Sequence, residues 1–475
     1  MTTTNTTPTP SPPAETTPVS TRQLNAISLV LVLGALTTLL DTTIVNIALD
    51  HLRRVFHAPV ADTQWIATGY LLAYVSVIPV SGWLSERIGA RATWMAAVGL
   101  FLFGSLLCGF AWSLPSLVAF RVLQGLGAGL VLPVTITILT RAAGRDRIGR
   151  AIATIGLIGQ LAPILGPIIG GSIVQSISWH WLFFVNVPIC VAALVLAPRY
   201  LPATPGARGR RFDLLGFVLL TPSVALVAFG VSQLAGAGGF RAVQVWLPLS
   251  LGAALLVAFV FTALRRGTHA LVDVRVFARR SFGLSSVITF VGGFSMYALM
   301  FLLPLWYQQV RGASVLETGL LLIPQGLGTI LFIVLSRKAI ARIDQRIVVA
   351  GGVVLLMLGI VPFAVAGTSG DAALLLIAQF VQGVGLGAAS LPVMTLAFAS
   401  LSQAETPRGS AAFSIVQRVG APFGVTVVAV VLEHFLVGAD TPAAVLAGFG
   451  ATFWWVLGLS AVPLVLACFM PRSRR

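Results

Sequence analysis

An acidic side chain lies inside an apolar stretch of the sequence. Asp41 is the one carboxylate between Leu31 and Leu49, in LVLGALTTLLDTTIVNIAL. This stretch can cross a bilayer as a helix, because about 20 apolar residues suffice. An ionisable group inside a membrane span is costly, and its usual chemistry is that of a proton relay or an ion pathway. Asp41 is therefore the first candidate functional residue.

A basic residue of a second apolar stretch is the natural partner of Asp41. Arg121 lies in LVAFRVLQGLGAG. Asp41 is about eight residues from the outer end of its helix and Arg121 about seven from its own, so at about 1.5 Å per residue the two lie within roughly one turn of the same depth. This placement favours coupling between the two charges, although the helix rotations that would bring them into contact are unknown from sequence.

The chemistry that such a pair supports is reversible proton binding. Burial disfavours the charged form of a carboxylate, whereas a neighbouring arginine favours it. A conformational change that alters the distance between Asp41 and Arg121 would therefore load a proton from outside and release it to the cytoplasm. The alternative is a static buried ion pair that only fixes the packing of the two helices.

The composition requires a membrane to position these residues. The chain has 475 residues, of which 57% are hydrophobic and 9% charged, against about 25% charged residues in soluble proteins. The apolar stretches do not alternate as the strands of a membrane β-barrel would. We predict an all-α membrane protein with fourteen spans, numbered here 1 to 14 in chain order. They cover residues 25–49, 63–82, 93–112, 114–138, 150–175, 182–197, 213–233, 245–264, 281–304, 317–336, 346–367, 371–397, 409–432 and 444–468.

The distribution of basic residues predicts the topology. The net charge of +16 would suit a nucleic-acid partner, but roughly two dozen of the 30 basic residues fall in alternate short loops or at the ends, as the positive-inside rule requires. We therefore expect a multi-pass protein of the cell (inner or plasma) membrane, with both termini in the cytoplasm and no nucleic-acid partner. Residues 1–24 are rich in Thr and Pro and read as a disordered tail.

A short internal repeat suggests two related bundles. Gln124-Gly-Leu-Gly-Ala-Gly, with Pro133 following, is similar to Gln382-Gly-Val-Gly-Leu-Gly, with Pro392 following. The alternatives are chance similarity between two Gly-rich helices and the duplicated bundle common in secondary transporters. On the second reading the predicted domains are an N-terminal bundle 25–197, a linker 198–280 with two inserted spans, a C-terminal bundle 281–468 and a tail 469–475. The second copy has Gln379 where the first has Arg121, so proton chemistry is expected in the N-terminal bundle alone.

Two further motifs are typical of segments that move during a conformational change. The loop after span 2 reads Gly82-Trp-Leu-Ser-Glu-Arg-Ile-Gly-Ala-Arg91, in which glycines allow close approach and the charges can hold neighbouring helix ends; the alternative is a solvated turn whose arginines only set topology. Span 5 contains GLIGQLAPILGPIIGG, in which small residues and proline favour close packing and a kink, with or without a role in gating. The candidate gate residues are Gly82, Glu86, Arg87, Gly89 and Arg91, and those of span 5 are Gly166, Pro167, Gly170 and Gly171.

Taken in order, these motifs resemble the major facilitator superfamily, specifically its fourteen-helix drug:proton antiporter branch. The resemblance rests on five segments between about residues 25 and 468. These are Leu40–Leu49 in span 1, Gly82–Arg91 in the loop, Arg121–Ala128 in span 4, Gly166–Gly171 in span 5 and Trp181–Pro188 at the start of span 6.

The resemblance implies a fold of two six-helix bundles with two inserted helices and transport by alternating access. It assigns proton coupling to Asp41 and Arg121, and a cytoplasmic latch to Glu86, Arg87 and Arg91. Two departures from the family's loop pattern weaken the latch assignment, because Glu86 replaces the usual aspartate and Ala90 a usual basic residue.

The expected function is proton-coupled multidrug efflux, hence drug resistance, by a transporter rather than an enzyme, with no cofactor beyond the proton gradient and no metal. We expect a monomer that exports lipophilic neutral or monocationic molecules, because Asp41 is the one acid found deep in a span.

Arg418 is a second buried cation, which either serves an anionic substrate or reaches the inner interface. Alternatives are an exporter dedicated to one endogenous metabolite or antibiotic, a membrane-embedded transferase, which the scattered histidines do not favour, and a receptor that does not transport. The candidate substrate-binding residues are Asn46, Trp65, Tyr70, Gln124, Gln160, Met296, Tyr297 and Gln325.

Overall fold

The structure is a computed structural model. It describes residues 20–470 except 145–146, 150–152, 157–158, 160–164, 167–168, 171, 174–176, 204–205, 207–211, 234–241, 268–269, 340–342, 366–370 and 440. The predicted N-terminal tail lies outside the described residues, apart from Ser20 and the first turn of the first helix. Within the described part the chain is helical and contains no strand.

Sixteen α-helices are bounded in the described part, and they are numbered here in chain order. The first eight are α1 (Thr21–Val55), α2 (Val60–Val77), α3 (Val80–Arg87), α4 (Ala90–Gly109), α5 (Leu114–Ala143), α6 (Trp181–Phe184), α7 (Asn186–Tyr200) and α8 (Leu214–Ser232). The others are α9 (Val243–Arg266), α10 (Arg280–Gln309), α11 (Val315–Leu321), α12 (Ile323–Ala339), α13 (Gln345–Val365), α14 (Ala372–Ala399), α15 (Thr406–Leu436) and α16 (Pro442–Cys468).

The number of membrane spans in the described part is twelve, or thirteen if the bent pair formed from α2 and α3 counts as one. The bend of 53° between these two helices falls at Pro79, which has no backbone N–H to continue the helix. Each predicted span except span 5 corresponds to one of these helices or helix pairs. Span 5, residues 150–175, lies largely outside the described residues, so the predicted count of fourteen is not confirmed.

The helix ends follow local sequence signals. Ser20 caps α1 through a capping box with Gln23, so this helix begins at Thr21 rather than at residue 25. Ser113 caps α5 in the same way, and Ser314 and Glu317 form a third capping box before α11. Such side chains satisfy backbone N–H groups that have no partner in the first helical turn.

The glycine-rich repeat has a structural counterpart. In α5, Gly125 and Gly129 lie against the backbone oxygens of Tyr70 and Tyr74 in α2, so the two helices approach more closely than side chains would allow. The same contact recurs between α14 and α12 in the second half. There the contacts are Gly383 with the Gln325 oxygen and Gly387 with the Thr329 oxygen.

The inserted helices α8 and α9 pack against each other, and α8 contacts both halves of the molecule. Thr221 of α8 donates a hydrogen bond to the Ser76 backbone oxygen in α2 at 3.0 Å. On the other side, Val231 belongs to a small hydrophobic cluster with Phe423 and Val430 of α15. The pair therefore lies across the junction between the halves, although the linker prediction for 198–280 as a domain stays untested.

Candidate functional site

Asp41 and Arg121 form an ion pair in the interior of the first half. Asp41 is 0% exposed and Arg121 1% exposed, and the Arg121 Nη1 atom lies 2.5 Å from the Asp41 Oδ2 atom. The structure thus brings together the two residues that the sequence placed at a similar depth. The contact arises because α1 and α5 pack against each other with these two faces turned inward.

Two amides complete the shell around the carboxylate. Gln124 Nε2 donates to Asp41 Oδ1 at 2.9 Å, and Asn186 Nδ2 donates to the same oxygen at 3.2 Å. Asn186, at the start of α7, is held in turn by the Ser105 hydroxyl oxygen, which accepts its second hydrogen bond at 3.1 Å. Three neighbours from α5 and α7 therefore donate hydrogen bonds to one carboxylate.

Arg121 has further partners on α2. Its Nε donates to the Ile66 backbone oxygen at 3.3 Å, and its guanidinium carbon lies 4.0 Å from the centroid of the Tyr70 ring. Tyr70 itself donates to the Thr38 backbone oxygen of α1 at 3.3 Å. The guanidinium is thus held by a carboxylate, a carbonyl and an aromatic face, each of which favours a cation.

The small residues of span 5 lie beside this pair. A Cβ atom at Gly166 would overlap the side chain of Thr43, two residues after Asp41 in α1, and a Cβ at Gly170 would lie 3.3 Å from the Ile44 Cα. Pro167 and Gly171 are outside the described residues. The position of α1 near Asp41 therefore depends on these glycines.

The short helix α3 joins the two halves. Glu86 accepts hydrogen bonds from Arg408 at the start of α15, with Nε to Oε1 at 3.1 Å and Nη2 to Oε2 at 3.2 Å. A Cβ at Gly82 would lie 3.1 Å from the Pro407 backbone oxygen, so this glycine lets α3 and α15 touch. Nearby, the hydroxyls of Thr137 and Ser410 share a hydrogen bond of 2.7 Å. The halves are closed against each other on this side.

The other predicted latch residues have local roles. Arg91 Nη1 donates to the backbone oxygens of Pro198 and Leu201 at 3.4 and 3.5 Å, and Gly89 turns the chain with φ of 89°, a conformation that glycine adopts without a Cβ clash. The Arg87 side chain is exposed. Among the three charged residues predicted to form the latch, Glu86 is therefore the one that the structure shows in contact with the other half.

A second ion pair supports the same side of the molecule. Arg279, before α10, contacts Glu405, before α15, at 2.5 Å. Partial burial acts to raise the pKa of Glu405, but hydrogen bonds from Ser402 and Arg279 outweigh it and hold this pKa below its usual value. Glu405 consequently stays charged, and the contact persists, at every pH above the ordinary range of glutamate; it is lost only as the pH falls through the lowered value.

A cavity of about 260 Å³ lies between the halves. Of the predicted substrate-binding residues, Met296 and Tyr297 line it. Tyr70 and Gln124 belong to the Asp41 cluster instead, Trp65 stacks on Phe229 of α8 with ring centroids 6.2 Å apart, and Gln325 is not among the described lining residues. The Asn46 side chain and Gln160 lie outside the described residues.

Three residues with clear contacts were not assigned from the sequence. Asn186 lay in a quoted motif, and its signal was a lone amide at the start of an apolar span. The sequence gave no signal for Arg408 or Tyr74, because their contacts lie far away in the chain. Glu86, the partner of Arg408, is 322 residues away. Tyr74 packs its ring against Arg418 of the second half. Among the described residues, no three His, Cys, Asp or Glu side chains lie close enough to hold a metal ion.

Comparisons with known proteins give this chain a family. A family model described as Major Facilitator Superfamily matches residues 31–425 and 285–475. The chain is 35% identical over 411 residues to a "Multidrug resistance protein B homolog" of Mycobacterium tuberculosis, an alignment that covers 85% of this chain and 75% of the relative. It is 31% identical over 399 residues to the MdtD protein of Klebsiella pneumoniae, with 83% of each chain covered.

The fold has solved counterparts as well. The proton:xylose symporter XylE superposes with a TM-score of 0.68 at 15% identity, covering 96% of this chain and 98% of that structure; at this identity the likeness concerns the fold alone. The family model and these relatives describe membrane transport proteins, and they match this chain over most of its length. The chain belongs to the Major Facilitator Superfamily.

Proposed function

We propose that this protein exports lipophilic small molecules in exchange for protons, and that Asp41 carries the proton. The observation that carries the proposal is the fully buried pair of Asp41 and Arg121, whose counterpart half has no buried acid among its described residues. A relative named as a multidrug resistance protein, 35% identical, supports efflux of drug-like compounds. The fourteen-span architecture, the cytoplasmic location of both termini and the monomeric state form part of the same proposal.

The proposed cycle follows from the cost of a buried charge. Breaking a buried ion pair by removing one partner costs about 3–5 kcal/mol, so a rearrangement that draws Arg121 away from Asp41 is costly unless the carboxylate takes a proton. Protonation outside therefore permits the rearrangement, and return of Arg121 expels the proton to the cytoplasm. Gly166 and Gly170 link this event to α1, because span 5 packs on the turn that follows Asp41.

The cavity lining bears on the substrate class. Most of its described residues are apolar, and no carboxylate is among them. Such a lining suits lipophilic compounds without a positive charge. It supports the neutral substrates predicted from the sequence more than the monocations, whose charge would meet Arg418.

The test is substrate-driven proton movement in proteoliposomes of the full chain, with a panel of unrelated lipophilic compounds. The wild type should move protons against the substrate, and Asp41→Asn should reduce this signal to that of protein-free liposomes. Glu433→Gln is the matched control, because it removes an exposed carboxylate near the end of α15. Proton movement that persists in Asp41→Asn would rule out the assigned role, and transport of a single compound of the panel would indicate a dedicated exporter.

A further inference from the structure

The cavity between the halves contains one charged side chain among its described lining residues, and it is a cation. Arg418 of α15 lines the cavity together with Gln417, Tyr74 and Tyr297. The remaining described lining is apolar or carries hydroxyl groups, such as those of Thr289 and Ser414. The walls therefore combine an apolar surface with a single positive charge.

Arg418 is half-buried and differs from Arg121 in what faces it. The guanidinium carbon of Arg418 lies 4.5 Å from the centroid of the Tyr74 ring, Tyr74 is also hydrogen-bonded to it, and Tyr297 and Tyr70 lie near it. No ion pair of the described residues includes Arg418. An aromatic face offsets about 0.5–2 kcal/mol, less than a carboxylate does for a buried cation.

The location excludes an interfacial role for this arginine. Arg418 follows the start of α15 by 12 residues, or about 18 Å along the helix axis. Its side chain turns toward α2 and the cavity instead of reaching along the helix to an end. A long basic side chain that snorkels would place its head group at the interface.

We propose that the cavity binds the carboxylate of a lipophilic organic acid, with Arg418 as its counter-charge. The proposal rests on the proposed export function and specifies its substrate class. The planar guanidinium matches a carboxylate with two parallel hydrogen bonds, the hydroxyls of Tyr297 and Thr289 lie in the same cavity as further donors, and the apolar walls accept the hydrocarbon part. The compound restores charge balance in the cavity, which a monocation would worsen.

The experiment compares an acid with its uncharged isostere. Binding of 2-naphthoate and 2-naphthamide is measured by equilibrium dialysis with the purified full chain in nanodiscs at neutral pH. We expect the wild type to bind the acid at least tenfold more tightly than the amide. Arg418→Gln should remove this preference and change the affinity for the amide less than threefold, and Arg418→Lys should retain part of it. Arg280→Gln, which removes an exposed arginine outside the cavity, should leave both affinities unchanged.

Two results would overturn the proposal. The wild type could bind the two compounds with equal affinity, or Arg418→Gln could weaken the binding of both compounds by the same factor. If Arg418→Gln does not fold, the wild-type preference and its partial retention in Arg418→Lys decide the question alone. The assay needs no proton gradient. A preference for the acid without proton-driven transport would count against the proposed function only, whereas proton-driven transport without that preference would count against the anion site only.

Discussion

Arg121, Arg408 and Arg418 lie in buried or half-buried settings, and their counter-groups distinguish what each can do. Arg121 faces Asp41 and takes part in a neutral pair. Arg408 faces Glu86 across the junction of the halves, with side-chain exposures of 10% and 11%. Arg418 faces aromatic rings and keeps a net charge in the cavity. The first pair suits proton exchange, the second holds a conformation and the third suits an anionic ligand.

The pair of Glu86 and Arg408 should set the balance between closed and open conformations on the arginine-rich side. A charged hydrogen bond contributes about 1.5–3 kcal/mol, so Glu86→Gln should shift this equilibrium toward the open form by about 10–100-fold. The swap Glu86→Arg with Arg408→Glu should restore much of the closed population, as a direct coupling requires.

The measurement is the distance distribution between spin labels at Ile88, which is 45% exposed, and Gln403, on the facing loop. The exposed Cys468 is first replaced by serine. Arg87→Gln, which removes an exposed charge next to Glu86, serves as control and should leave the distribution unchanged. An unaltered distribution in Glu86→Gln would show that the pair does not hold the halves together.

The sequence predicted the functional residues that stand out within their own segment. It did not predict those whose role depends on a contact with a distant part of the chain. Asp41 stands out in an apolar helix, and Arg121 follows from depth alone. Arg408 looks like one more topogenic arginine, because only the packing of α3 on α15 brings Glu86 to it. Trp65 and Gln325 were placed in a cavity because they are large or polar, but the rotation of their helices, which the sequence does not give, decides what they face.

At the scale of elements, α2 connects the two charged centres. Tyr70 lies against Arg121 and Tyr74 against Arg418, and four residues of spacing put both rings on one helix face, with centroids 6.1 Å apart. Gly166 and Gly170 of span 5 lie against α1 just after Asp41. Movement of either helix thus changes the surroundings of Asp41 and of the cavity together.

The contact of span 5 with α1 limits the size of the side chain that position 166 can hold. Gly166→Ala should impair proton-coupled transport, because the added Cβ would overlap the Thr43 side chain and displace the turn that follows Asp41. Overpacking of this kind costs about 1–3 kcal/mol, which corresponds to a loss of about 5–100-fold in transport rate. The measurement is the initial rate of substrate-driven proton movement.

A second-site change tests the cause. Thr43→Gly removes the two Thr43 atoms that the new Cβ would overlap, so the double variant Gly166→Ala with Thr43→Gly should recover activity relative to Gly166→Ala alone. Gly99→Ala is the matched control, since a Cβ there meets nothing within 4 Å and should have little effect. A double variant no more active than Gly166→Ala would mean that the glycine is needed for something other than close packing on α1.

For the whole molecule, the apolar stretches predicted most of the membrane spans. Thirteen predicted spans have counterparts among the described helices, because the length and hydrophobicity of a membrane helix are local properties of the chain. The bridging position of α8 was out of reach, since a helix that is apolar all round does not reveal which neighbours it contacts. Arg418 was recognised as a buried cation, but its place in the cavity could not be predicted, because the lining comes from both halves and depends on helix rotation.

That charge has an electrical consequence for transport as a whole. If an organic acid leaves as its anion while protons enter, each cycle moves one more positive charge inward than export of the uncharged isostere, whatever the number of protons. One elementary charge in a membrane potential of 100 mV is worth about 2.3 kcal/mol, or about a 50-fold change in the attainable concentration ratio. An inside-negative cell would therefore expel the anion more strongly than the amide.

The charge moved per molecule is obtained by calibrating substrate-induced currents on solid-supported membranes against tracer flux in the same proteoliposomes. The ratio for 2-naphthoate should exceed that for 2-naphthamide by one elementary charge in the wild type, and Glu433→Gln should give the same difference. Equal ratios would mean that the acid crosses in its protonated form. In that case Arg418 would meet the anion only in the binding step, and the proton released from the substrate would have to be counted with the one on Asp41.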